Sequence, residues 1–279
     1  MSGAANRPLV PAWFVGEFLG TFLLVFFGCG SVATAVLTGA QVGIFQVAIV
    51  WGLGIATAIY LTASLSGAHL NPAVTIALAT CGRFPFRNVA KYFVAQFAGA
   101  FVASAAVYFL YRGSLLAFES ANQIVRGAAG SESSAMIFGE YFPNPGGHPF
   151  TEDIRARVSH VTAFFAEALG TGILILVILG STDERNSSRP LVLTAATIGL
   201  TVTMLISLLG PLTMACLNPA RDLAPRIFSA LAGWRSVPFT TNGWGWLTVY
   251  VVAPIVGALL GGVIYRRWLA PHYAVTSAR

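Results

Sequence analysis

Ser66-Gly67-Ala68-His69-Leu70-Asn71-Pro72-Ala73-Val74-Thr75 is answered, later in the chain, by Gly210-Pro211-Leu212-Thr213 and then Asn218-Pro219-Ala220-Arg221-Asp222. Asparagine is a strong helix N-cap and proline is favoured at the first helical position, so each Asn-Pro-Ala starts a helix. The apolar pieces that follow, 69–80 and 218–230, are too short to cross roughly 30 Å of hydrocarbon. One such motif is an ordinary helix start. Two, each opening a sub-spanning apolar piece, point to half-helices. Lipid cannot satisfy irregular backbone, so both must lie inside protein or along a water-filled cavity.

Around them run stretches long enough to span, near 12–36, 44–64, 89–111, 160–180, 190–209 and 245–265, with a polar loop at about 112–159. The chain repeats itself. Glu17-Phe18-Leu19-Gly20-Thr21 in the first span is matched by Glu167-Ala168-Leu169-Gly170-Thr171 in the fourth, 150 residues on, and the two asparagines are 147 apart. Three spans plus a half-helix, used twice, invert the second copy relative to the first. The working site then belongs near the midplane, where the interrupted helices meet. The expected organisation is a single unit over 1–279, with repeat 1 at about 12–111, the loop at about 112–159 and repeat 2 at about 160–267. Arg7, Arg83, Arg87, Lys91, Arg185, Arg189, Arg266, Arg267 and Arg279 all fall on one side of this topology. The bias of short basic loops toward the cytoplasm predicts that both termini are cytoplasmic.

Of 279 residues, 56% are hydrophobic and 9% charged, against about 25% charged in a soluble domain. That deficit, spread along the chain, requires many spans and a lipid bilayer as surroundings. A net charge of +6 raises nucleic acid as a partner, but the cations are scattered and Lys91 is the only lysine. Cys29, Cys81 and Cys216 share no metal-ligand or disulfide spacing, and no cofactor is implied. No nucleophile–base set accompanies the intramembrane acids Glu17 and Glu167, which argues against an enzyme. Their alternatives are a proton-coupling site and a structural one, in which each carboxylate accepts from loop amides. His69 has no second ligand nearby and reads as a brace for its own loop.

The paired motifs closely resemble the two signature loops of the major intrinsic proteins (aquaporins), over nearly the whole chain. That resemblance implies an all-α membrane fold of six transmembrane helices plus two half-helices in an inverted repeat, normally a homotetramer with one pore per subunit. Asn71, Pro72, Ala73, Asn218, Pro219 and Ala220 would meet in the pore, with the carbonyls of Gly67, Ala68, His69, Met214, Ala215 and Cys216 lining it. Two positive helix ends aimed at one point repel cations. Amide donors from Asn71 and Asn218 orient a passing hydroxyl and break a proton wire. Glu17, Glu167 and Asp222 are expected as structural braces.

Asp222, Arg226, Pro254-Ile255 and Phe142-Pro143-Asn144-Pro145 resemble the glycerol-conducting branch, the aquaglyceroporins. The resemblance puts a selectivity filter at Trp51, Ile206, Ala215 and Arg221, with the indole carrying the carbon backbone of a polyol and the guanidinium its hydroxyls. Here the chain departs from its pattern. Ala215 stands where glycerol facilitators carry a second aromatic, and Ile206 where they carry glycine. This set is more similar to the filter of some plant nodulin-like intrinsic proteins, whose range would admit urea, other small polyols, metalloid hydroxides or protonated lactic acid. The expected function is a passive channel for small uncharged solutes, glycerol first and water also, in the plasma membrane (the inner membrane of a bacterium). A water-selective aquaporin and a proton-coupled transporter are the alternatives.

Overall fold

The computed structural model describes residues 9–40 and 43–276. Six helices are long and apolar enough to cross a membrane: Ala12–Thr38, Ile44–Ser66, Phe86–Ala121, His160–Ser181, Leu191–Thr213 and Gly245–Tyr273. Their regular cores are α1 (Ala12–Ala33), α2 (Ile44–Ser66), α4 (Val89–Ala121), α5 (His160–Ser181), α6 (Thr194–Thr213) and α8 (Ala253–Ile264). The half-helices are α3 (Pro72–Thr80) and α7 (Pro219–Ser229), and among the described residues there is no strand.

The packing repeats with the sequence. In the first copy α1 lies against α2 and α4, and in the second α5 lies against α6 and α8. The half-helices cross over: α3 packs on α8 and α7 on α4. The copies join along α2 and α6, where a Cβ on Gly52 would collide with the carbonyl oxygen of Gly199 and a Cβ on Gly199 with that of Gly52. Apolar bulk points outward, with Leu53, Phe109, Leu110 and Leu208 all more than half exposed, while Glu17, Gln96, Thr171 and Glu167 are sealed inside. In lipid such an arrangement is favourable, because the solvent itself is apolar.

One boundary differs from expectation. The third span, expected to end near residue 111, continues as helix to Ala121. The polar run Arg112-Gly113-Ser114 carries the helix out of the apolar layer instead of ending it, and the following loop folds back. Met136, Ile137, Phe138 and Tyr141 of that loop are buried in the main core.

On the side of the basic loops, Arg83 reaches Asp183 at 3.1 Å and Arg185 reaches it at 2.8 Å. Hydrogen bonding from Arg185 holds the Asp183 carboxyl well below the usual carboxylate range. Arg266 donates to the carbonyl of Thr80 at the end of α3, 3.2 Å away, a favourable place for a cation at a helix C-terminus. Arg7 and Arg279 lie outside the described residues.

Gly199→Leu forces added volume against a backbone carbonyl, where overpacking costs about 1–3 kcal/mol or more. We expect a lower melting temperature and loss of monodisperse protein in detergent, whereas Leu208→Ala on the lipid face leaves both nearly unchanged.

Candidate functional site

Asn71 and Asn218 stand as N-caps of α3 and α7. Asn71 Oδ1 accepts from Ala73 N at 2.8 Å, and Asn218 Oδ1 from Ala220 N at 3.0 Å and Arg221 N at 3.3 Å. Their amide nitrogens then cross between repeats. Asn71 Nδ2 donates to Leu217 O and Asn218 Nδ2 to Leu70 O, each at 2.8 Å. The exchange uses one proton of each amide. The second proton of each is available to the cavity that both asparagines line.

The loops entering these helices are strained in the same way. Gly67, Ala68 and Leu70 in one, and Met214, Ala215 and Leu217 in the other, have φ between +49° and +85°. For non-glycine residues this conformation costs of order 1–3 kcal/mol and needs a surrounding structure that enforces it. The two buried glutamates supply part of it. Glu17 accepts from Ser66 Oγ (2.7 Å), His69 N (2.9 Å), Leu70 N (2.8 Å) and Gln96 Nε2 (2.7 Å). Glu167 accepts from Cys216 N at 2.9 Å and Leu217 N at 2.8 Å. One turn beyond each glutamate, Gly20 and Gly170 leave room for the side chains of Leu70 and Leu217. His69 bonds Thr75 Oγ1 at 3.2 Å and stacks edge-on to Phe84.

Two cavities meet inside the bundle. The inner one, about 660 Å³, opens among Tyr60, Thr182, Leu191 and Val192 and passes Asn71 and Asn218. The outer one, about 410 Å³, is bounded by Val36, Phe118, Glu140 and His148. Trp51, Ile206, Met214 and Arg221 line both, so the two cavities adjoin at those four residues. Trp51 is 5% exposed and so is no interfacial belt residue. The guanidinium of Arg221 lies 4.3 Å from its ring centroid, in cation–π range. Ala215 lines only the inner cavity.

Sequence reasoning missed three participants. Met214, expected to contribute only its backbone carbonyl, borders both cavities, and its sulfur accepts from Tyr141 N at 3.4 Å. Glu140 pairs with Arg221. Arg226, read only as a branch marker, is 2% exposed and pairs with Asp222 at 2.8 Å, so Asp222 does not pair with Arg221. One signal was available: Glu140 is a lone acid inside Met136-Ile137-Phe138-Gly139-Glu140-Tyr141-Phe142.

The profile of the family described as Major intrinsic protein matches residues 9–265. The chain belongs to the major intrinsic protein family. A glycerol uptake facilitator protein of Shigella flexneri is 43% identical over 259 residues, covering 92% of this chain and 88% of that protein. One from Pseudomonas aeruginosa is 41% identical over 279 residues, covering 100% and 96%. Among solved structures, the aquaglyceroporin from Plasmodium falciparum superposes with a TM-score of 0.79 at 32% identity, covering 95% of this chain and 98% of that one. The six spans and the two crossed half-helices thus belong to a multi-pass membrane protein of the major intrinsic protein family.

Glu167→Gln replaces one carboxylate oxygen with an NH₂ group and leaves a buried loop N–H facing a donor, a loss of about 1–3 kcal/mol. Glu17→Gln does the same among four donors. We expect both to lower the melting temperature and the yield of assembled protein while changing solute discrimination little. A variant that folds normally and alters only the pH dependence of uptake would instead make that carboxylate a coupling acid.

Proposed function

We propose that this protein is a passive channel for glycerol and other small uncharged solutes, water included, with one pore per chain. The observation that carries the reading is the joined pair of cavities. They share Trp51, Ile206, Met214 and Arg221, and the inner one passes the two asparagines at the meeting of α3 and α7. The facilitators and the aquaglyceroporin above support the choice of glycerol.

In this reading a solute sheds water at the constriction, bonds Arg221 through a hydroxyl and slides its carbons along Ile206 and Trp51. Loop carbonyls from Gly67 to His69 and Met214 to Cys216 replace water along one wall. At Asn71 and Asn218 a hydroxyl oxygen accepts both remaining amide protons, so its own proton points away and no continuous proton wire forms. The helix N-termini oppose cations at the same point. Glu17, Glu167 and Asp222 act as braces. A proton-coupled carrier needs an open acid on the path, and neither Glu17 nor Glu167 lines either cavity. We further propose a homotetramer in the plasma or bacterial inner membrane, with the basic loops and both termini cytoplasmic.

Reconstituted in liposomes, the protein should speed glycerol equilibration in stopped-flow light scattering, with an activation energy well below that of the bare bilayer. Flux no faster than empty liposomes would refute the reading.

Met214→Gly removes a side chain from the constriction and places glycine where φ is +64°, which relieves strain as well as bulk. We expect four-carbon polyols to gain severalfold relative to glycerol. An unchanged ratio would mean that Met214 does not limit the aperture.

A further inference from the structure

α7 carries two separate arginines. Arg221 faces the pore, while Arg226, one turn further on, is held by Asp222 with its Nε and Nη2 at 2.8 Å from the carboxylate oxygens. This second pair does not stop at itself. Asp222 Oδ1 accepts from Glu140 N at 2.7 Å, and Arg226 Nη2 donates to Glu140 O. The main chain of one loop residue is therefore clamped on both sides by a buried ion pair. Gly139 lets that clamp close, since a Cβ there would press on the Arg226 guanidinium.

What the clamp holds in place is a carboxylate. Glu140 is 0% exposed, ion-paired to Arg221, and among the residues that border the outer cavity. Apart from that contact, neither of its carboxylate oxygens has a hydrogen-bond partner among the described residues. Arg221 is also partly committed, because Nη1 donates to Phe138 O at 3.3 Å. A filter arginine with a free fork offers donors only. This one stands beside an acceptor with unfilled lone pairs, and both residues line the outer cavity.

We propose that Glu140 is a specificity-determining residue of the pore: its carboxylate takes the O–H or N–H protons of an entering solute while Arg221 donates to the oxygen beside them. Such a pair favours solutes that carry donor and acceptor on adjacent atoms, vicinal diols above all, over molecules that only accept. Charge-assisted hydrogen bonds are about twice as strong as neutral ones, so the charged carboxylate, more than its shape, carries the effect. This inference rests on the channel reading above.

The pH dependence follows with a definite sign. Burial pushes the Glu140 carboxyl up to about 8, against the pull of Arg221. The charged form is therefore lost as pH falls through that raised value, and flux of donor-bearing solutes should fall with it. The other charged or titratable groups around Glu140 are Asp222 and Arg226 on α7, Glu167 on α5, Cys29 on α1, Cys216 in the second loop and Tyr250 in the last span. His148 lines the same cavity.

The test is the ratio of glycerol to water permeability in proteoliposomes from pH 5.5 to 9, for wild type, Glu140→Gln, Glu140→Asp and His148→Gln. We expect Glu140→Gln to lower the ratio at high pH by roughly three- to tenfold and to remove its pH dependence. Glu140→Asp should keep the dependence, and His148→Gln should leave it unchanged. A ratio that Glu140→Gln leaves unaltered or raises would overturn the proposal, as would a wild-type dependence abolished by His148→Gln. If Glu140→Gln does not fold, the wild-type and His148→Gln profiles decide, and a flat wild-type profile counts against it. Wild-type vesicles that pass no glycerol at any pH refute the channel reading itself, so the two failures are distinguishable.

Discussion

At the centre of the molecule, two asparagine side chains exchange hydrogen bonds with each other's loops, Asn71 with Leu217 and Asn218 with Leu70. Each amide oxygen is spent on its own helix and one amide proton on the opposite repeat, so a single proton per asparagine is left for whatever passes. This cross-tie requires two left-handed loops to meet in the middle of a membrane, with no bulk water to satisfy their amides. The buried glutamates answer that need from α1 and α5. The glycines one turn later admit the leucines of the same loops, and Gly52 against Gly199 lets the repeats approach closely enough for the asparagines to reach across.

The proposed filter draws on the same half-helix in two ways. α7 projects Arg221 directly and fixes Glu140 indirectly, through the Asp222–Arg226 pair that grips its backbone. Breaking one member of a buried pair strands the other charge, typically at 3–5 kcal/mol, so the surroundings of Arg221 are tied to the folding of the loop that carries Glu140. The second loop contributes two neighbouring residues to this region. Met214 borders both cavities, whereas Ala215 borders only the inner one.

Much of this was legible in the sequence because each feature is local or repeated. The span lengths, the paired Asn-Pro-Ala starts and the matched Glu-x-x-Gly-Thr runs led to the inverted repeat, the caps and the carboxylates that accept from loop amides. The filter candidates Trp51, Ile206 and Arg221 all border both cavities. Glu140 could not be placed, because only the fold of a turn-rich loop, 81 residues before Arg221 in the chain, brings it beside that guanidinium. The end of the third span was misjudged for a related reason. Arg112 marks where the apolar layer stops, and a helix need not stop with it.

The central claim is that the asparagine cross-tie passes hydroxyl-bearing solutes and interrupts proton transfer. Proton leak under a pH gradient, read by an internal pH-sensitive dye in the same proteoliposomes that conduct glycerol, measures it most directly. The expected result is rapid glycerol flux with a proton leak equal to that of empty liposomes. A leak that grows with the amount of protein, while glycerol flux grows alongside it, would contradict the claim.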